Sequence, residues 1–177
     1  MIATRLHAVM LSLALAASAL TITSAIAADK PLPGKLQPGD TAPVRLGVTR
    51  ARDEIETTQF AGRVMVVTFW ASWCGPCRNE MVMLEKLQLL AKDRLKIVAV
   101  NIEEREVFRE VSNVLKDFTI TITNDPKKYA AQNYGVKGIP HMVIIGKDGK
   151  AVTAHAGYSE AALDGLLAEI NAELAKG

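Results

Sequence analysis

The run Val64-Met65-Val66-Val67-Thr68-Phe69-Trp70-Ala71-Ser72-Trp73-Cys74-Gly75-Pro76-Cys77-Arg78-Asn79-Glu80 joins an apolar segment, two cysteines and the start of a periodic segment. Its first seven residues are apolar apart from Thr68 and rich in β-branched side chains. That is how a strand covered on both faces reads, since neither face has to meet water. After Cys77, apolar residues fall at Met81, Leu84, Leu87 and Ala91, the spacing of a helix with one buried face. The cysteines therefore sit where a central strand ends and a helix begins.

Outward from this unit, Leu95 to Ile102 reads as a second buried strand, Glu104 to Lys116 as a helix and Thr119 to Thr123 as a short alternating strand, a βαβ order. Asp125-Pro126 opens a short helix through Asn133, and Gly135-Val136-Lys137-Gly138 breaks it before a strand from His141 to Ile145. Lys147-Asp148-Gly149-Lys150 is a hairpin turn signal leading into Ala151 to His155. Gly157 ends that strand. Ser159 then caps an amphipathic C-terminal helix with apolar positions Ala162, Leu163, Leu166, Leu167, Ile170 and Leu174. Upstream, Gln37 to Ala61 alternates in short segments between Pro and Gly, as an N-terminal β-hairpin and its lead-in would. No repeat or low-complexity tract breaks this order.

The N-terminus reads as an export signal. Arg5 and His7 precede an uncharged run from Ala8 to Ala27, and Ala25-Ile26-Ala27 supplies a small-x-small cleavage pattern. The expected organisation is a signal peptide at 1–27, a linker at 28–36 carrying Asp29-Lys30-Pro31-Leu32-Pro33-Gly34, and one domain at 37–177. Cleavage leaves about 150 residues, enough for one hydrophobic core. An apolar run of about 20 residues is also long enough to span a bilayer, so an uncleaved anchor is the alternative.

Composition removes some classes of partner. The formal net charge is +2, only 5% of residues are aromatic, and no Lys/Arg cluster is interleaved with aromatics, so nucleic acid is not expected. Two cysteines in an exported chain ordinarily suggest a structural disulfide. The Cys-Gly-Pro-Cys spacing argues otherwise, because so short a loop restricts the unfolded chain little. A structural zinc site needs four ligands, and the three histidines form no paired motif beside the single CxxC.

At a helix start, the Cys74 sulfur lies near free backbone N–H groups and the positive end of the helix dipole, which favour thiolate. Cys74 is thus the expected attacking sulfur. Cys77, one turn along the same face, can reach it and displace a bound partner from a mixed disulfide. Pro76 is tolerated there because the first turn leaves its missing N–H without a partner to lose.

The segment Thr68 to Glu80 resembles the active-site stretch of the thioredoxin superfamily, and more closely that of the exported TlpA/ResA-like thiol–disulfide oxidoreductases. Gly135-Val136-Lys137-Gly138-Ile139-Pro140 resembles the family's cis-proline loop, and Leu36 to Pro43 its Pro-Gly-Asp-x-Ala-Pro lead-in; the likeness covers roughly residues 36 to 175. The resemblance implies a thioredoxin fold in the α/β class, a central mixed β-sheet flanked by helices, with an N-terminal β-hairpin extension. It implies catalytic roles for Cys74, Cys77, Glu80 and Pro140, and substrate contacts from Trp73, Gly75, Pro76 and Ile139. It implies disulfide-bonded client proteins in cytochrome c or copper-centre maturation and re-reduction by a membrane thiol donor of the DsbD/CcdA kind. No cofactor is expected, and a monomer is the default. The location implied is periplasmic or otherwise extracytoplasmic. Gly75-Pro76 between the cysteines resembles reducing thioredoxins rather than strong oxidants. The peroxiredoxin pattern Pro-x-x-x-Thr-x-x-Cys is absent around Cys74.

Several positions carry two readings. Glu80 is either a partly buried acid passing protons to the cysteines or a solvated first-turn glutamate favoured by the helix dipole. Thr68 stands where ordinary thioredoxins carry an Asp, which leaves Glu80 the nearest acid in sequence. His141, where the family usually has a small or polar residue, could tune the Cys74 thiolate, or complete a copper site with Cys74 and Cys77, making the chain a metallochaperone; otherwise it is a strand residue without a catalytic task. Met81 fits the buried helix face, so packing explains it better than soft-metal ligation. Of Trp70 and Trp73, one is expected in the core and one on a partner-docking surface. Glu103, Glu104 and Arg105 read as the solvated start of a helix.

Overall fold

The computed structural model describes residues 36–176, so the expected signal peptide and all of the linker but Leu36 lie outside the described residues. Seven strands form one sheet: β1 (Arg45–Val48), β2 (Glu54–Glu56), β3 (Val64–Trp70), β4 (Leu95–Asn101), β5 (Thr121–Asn124), β6 (His141–Ile145) and β7 (Ala151–Ala156). Their spatial order is β2-β1-β5-β4-β3-β6-β7, with β3, β4 and β5 parallel and the remaining pairs antiparallel. The helices are α1 (Gly75–Ala91), α2 (Arg105–Val114), α3 (Tyr129–Asn133) and α4 (Leu163–Ala175). This is the expected mixed sheet flanked by helices, with the β1–β2 hairpin added at one edge.

β3 is buried at every position because both of its faces are covered. Val64, Val66 and Trp70 face a cluster that includes Met81 and Leu84 of α1, Leu166 and Ile170 of α4, and both cysteines. Met65, Val67 and Phe69 face the other cluster, with Tyr134 just after α3 and Leu36 and Ala42 of the lead-in. Side-chain alternation along one strand thus distributes two cores. The lead-in lies against the first residue of β7 and the turn before it, where Gly39 N–H donates to Ala151 O at 2.8 Å and Ala42 N–H to Gly149 O at 3.0 Å.

Some boundaries differ from the sequence expectation. Asp125-Pro126 does not open a helix; the Asp125 carboxylate instead accepts the N–H groups of Tyr129 and Ala131, and α3 begins at Tyr129. Ser159 makes no side-chain cap bond; a short 3₁₀ turn, Glu160–Ala162, intervenes, and α4 begins at Leu163. Among the described residues, no helix is long and apolar enough to cross a membrane.

Candidate active site

The site is assembled at the C-terminal end of β3. Beyond Trp70 the chain turns, the Cys74 N–H donating to Ala71 O at 3.1 Å, and Cys74 becomes the N-cap of α1. The Cys74 Sγ accepts the Cys77 N–H at 3.2 Å, one of the donors that a helix start leaves without a partner. Pro76 occupies the first turn, where it removes no intrahelical bond. Cys74 and Cys77 are joined as a disulfide, their Cα atoms 5.3 Å apart. Both are buried, Cys74 at 5% exposure and Cys77 at 0%.

Glu80 lies one helical turn beyond Cys77 and is 1% exposed, so the solvated reading of this residue is set aside. Thr68 Oγ1, on the facing strand, donates to Glu80 Oε2 at 2.6 Å. Burial pushes the Glu80 carboxyl up to about 7, and the Thr68 hydrogen bond opposes that without outweighing it. Glu80 also borders a cavity of about 270 Å³, with Met142, His155, Tyr158, Ser159 and Leu166 among its walls. A buried acid titrating near neutrality, one turn from a cysteine, can take or return a thiol proton.

The Ile139–Pro140 peptide bond is cis. Pro140 is buried, its carbonyl accepting the Gly157 N–H at 2.8 Å, while half-buried Ile139 packs on the cluster that holds both cysteines. Antiparallel pairing sets Phe69 opposite His141, which brings the end of this loop to the end of β3. Trp73 is 71% exposed beside the cysteines and Trp70 only 1%, so the two tryptophans divide between surface and core. Pro76 is exposed and Gly75 half-buried.

The copper set does not assemble: among the described residues, no group of three His, Cys, Asp or Glu side chains is arranged to hold a metal. Strand alternation gives the reason. Met142 packs in the cluster that holds the cysteines, so His141, its neighbour on β6, lies toward the opposite face, with its ring 6.3 Å from that of Phe69.

Glu103 corrects the expectation of a solvated helix start. It precedes α2, is half-buried, and accepts the Ser72 N–H at 2.6 Å, the Ser72 hydroxyl at 2.8 Å and Asn101 Nδ2 at 2.9 Å. Glu104 is the exposed N-cap of α2. No local signal marks Glu103, because Ser72 lies 31 residues away in the chain.

The Redoxin family model matches residues 37–170. The thioredoxin-like protein YneN of Bacillus subtilis (strain 168) is 32% identical over 125 residues, 69% of this chain and 73% of its own. A thiol-disulfide oxidoreductase ResA, of Bacillus thuringiensis subsp. konkukian (strain 97-27), is 29% identical over 121 residues, 67% of this chain and 69% of its own. A crystal structure from Chlorobium tepidum, assigned as the thiol:disulfide interchange protein DsbE, superimposes with a TM-score of 0.71 at 31% identity, covering 79% of this chain and 99% of that one.

Proposed function

Since the chain belongs to the Redoxin family and, within the thioredoxin superfamily, to its TlpA/ResA-like members, we propose that it is a thiol–disulfide oxidoreductase working outside the cytoplasm as a reductase of protein disulfides. The carrying observation is the cysteine pair at the start of α1, with the Cys74 Sγ on the Cys77 N–H and a neutral-range carboxyl one turn away.

In this reading the Cys74 thiolate attacks one sulfur of a client disulfide, the client S–S bond breaks, and the other client sulfur leaves as a thiolate. Cys77 then gives its proton to Glu80 and attacks the Cys74 sulfur, releasing the client's second sulfur. The client has gained two electrons, its two thiolates take up one proton returned by Glu80 and one from solvent, and this protein is left with the Cys74–Cys77 bond. A membrane thiol donor of the DsbD/CcdA kind returns it to the dithiol. Ile139 and Pro140 hold the client backbone across the cysteines, with Trp73, Gly75 and Pro76 forming the rest of the docking surface. Residues 1–27 direct export or anchor the chain, 28–36 serve as a linker, and a monomeric domain from 37 acts on clients of cytochrome c or copper-centre maturation.

The test is the equilibrium of the cysteine pair against a glutathione series, with free thiols counted after alkylation. A potential near or below that of thioredoxin, about −270 mV, supports the reductase; an oxidising value points instead to disulfide insertion. Cys74→Ser should abolish reduction of a disulfide substrate, and Cys77→Ser should accumulate a mixed disulfide visible by mass. Reduction that survives Cys74→Ser overturns the assignment.

A further inference from the structure

Ser72 stands two residues before Cys74, inside the turn closed by the Cys74 N–H on Ala71 O, and every polar group it has is held. Its N–H and hydroxyl both go to the Glu103 carboxylate, and its carbonyl accepts from Arg78 at 3.3 Å. Glu103 is itself fixed from behind. Its N–H donates to Asn101 Oδ1 at 3.0 Å, its carboxylate accepts from Asn101 Nδ2, and its carbonyl accepts from Asn124 Nδ2 at 2.8 Å. Asn101 and Asn124, 0% and 2% exposed, end β4 and β5. The ends of β4 and β5 therefore press a carboxylate onto the redox loop, and two charge-assisted bonds to one residue fix both its position and its orientation.

We propose that Glu103 is a positioning residue for the redox pair: by clamping Ser72 it keeps the Ala71–Cys74 turn closed, so that the Cys74 sulfur stays over the first N–H groups of α1 when the disulfide opens. This rests on Cys74 being the attacking sulfur. In the oxidised protein the bridge to Cys77 tethers Cys74. In the dithiol that tether is gone, and Cys74 is held by the turn with its clamp on one side and by the Arg78 N–H on its carbonyl, at 3.3 Å, on the other. Releasing the clamp lets the sulfur leave the cap, and a thiolate without those N–H groups is less stable. Removing only the negative charge near the loop has the opposite effect, since it favours the thiolate. Positioning and charge thus predict opposite signs.

The experiment follows the pH dependence of Cys74 alkylation by iodoacetamide in the reduced protein, alongside the rate of insulin disulfide reduction and the glutathione equilibrium. Glu103→Ala should raise the pH midpoint of alkylation, slow disulfide attack about tenfold and make the pair more reducing, the scale expected for two lost hydrogen bonds. Glu103→Gln, without the charge, keeps one amide oxygen to accept the Ser72 N–H and can donate its amide N–H to the Ser72 hydroxyl oxygen, and should stay within about threefold of the parent rate. Should Glu103→Ala fail to fold, Ser72→Ala decides, losing only the hydroxyl bond and slowing attack about threefold. The proposal is overturned if folded Glu103→Ala behaves as the parent, if Glu103→Gln and Glu103→Ala both lower the midpoint, or if Ser72→Ala changes nothing where it is the deciding variant. Absence of insulin reduction by the parent protein would count against the Cys74 reading alone, because the alkylation profile still reports on Glu103.

Discussion

A glutamate in the first turns of a helix ordinarily faces water, where the helix dipole favours its charge. Glu80 faces Thr68 and the core instead, and there burial costs the charged form more than one hydroxyl bond returns. The sign for stability follows from linkage. Between the ordinary 4.5 and about 7, the folded protein keeps a proton that the unfolded chain releases, so stability falls as pH rises through that window and levels off above it. The loss is on the order of 3 kcal/mol. Glu80→Gln, which stays neutral and can still accept from Thr68, should flatten this fall and exceed the parent in stability at about pH 8. Urea unfolding of the oxidised protein at about pH 5 and about pH 8 reads the difference. Trp73 and Trp70 divide at the same scale. Iodide should quench the fluorescence of Trp73 and leave that of Trp70, and Trp73→Phe should remove the quenchable fraction without lowering the unfolding midpoint.

Among the elements, the attachment of β1 to β5 depends on how closely two backbones approach. Gly47 has φ +88°, and a Cβ there would stand 2.6 Å from the Asn124 carbonyl oxygen. Both the left-handed backbone and the contact exclude a side chain. Gly47→Ala should cost about 2–4 kcal/mol, the sum of an αL penalty and a shift of packed backbone. A lowered denaturant midpoint at unchanged slope would show it. Asn124 also supports Glu103, so the same variant should disturb Cys74 alkylation, which ties the hairpin to the redox loop. On the other face of the sheet, the Tyr134 hydroxyl donates to Pro43 O at 2.9 Å and fastens the lead-in to the chain after α3. Tyr134→Phe leaves that buried carbonyl without this donor and should cost about 1–2 kcal/mol in the same titration.

At the scale of the whole molecule, the sheet makes one unit of two cores. Val66 and Val67 are neighbours in β3, yet each packs in a different cluster. Val66→Ala and Val67→Ala should each destabilise by about 1–3 kcal/mol. Both should lower one shared transition, seen alike by fluorescence and circular dichroism, because the strand they share cannot unfold on one side alone. Separate transitions would show two independently stable layers. The proposed export also belongs at this scale: a chain cut after Ala27 should begin at Ala28 by N-terminal sequencing of the protein recovered outside the cytoplasm, whereas an anchored chain should keep its first residues and sediment with membranes.

The strand, the CxxC and the helix after it were legible in the sequence because each is a local pattern. A both-faces-buried strand needs a continuous apolar run, an amphipathic helix repeats every three to four residues, and a helix start tolerates proline. Cys74 as the cap and Cys77 one turn later follow from that spacing alone. What the tertiary structure decided is which side of the sheet, and which distant segment, each polar residue meets. Glu80 became a buried acid because β3 brings Thr68 against α1, 12 residues away in sequence. His141 left the cysteine face because its pairing with Phe69 fixes the parity of β6, and a one-residue slip would have reversed it. Glu103 turned from an apparent surface charge into the clamp on Ser72 because β3, β4 and β5 end side by side, gathering residues 72, 101, 103 and 124. Periodicity records which residues are buried, while partnerships between buried polar groups depend on strand order and register, which no single segment encodes.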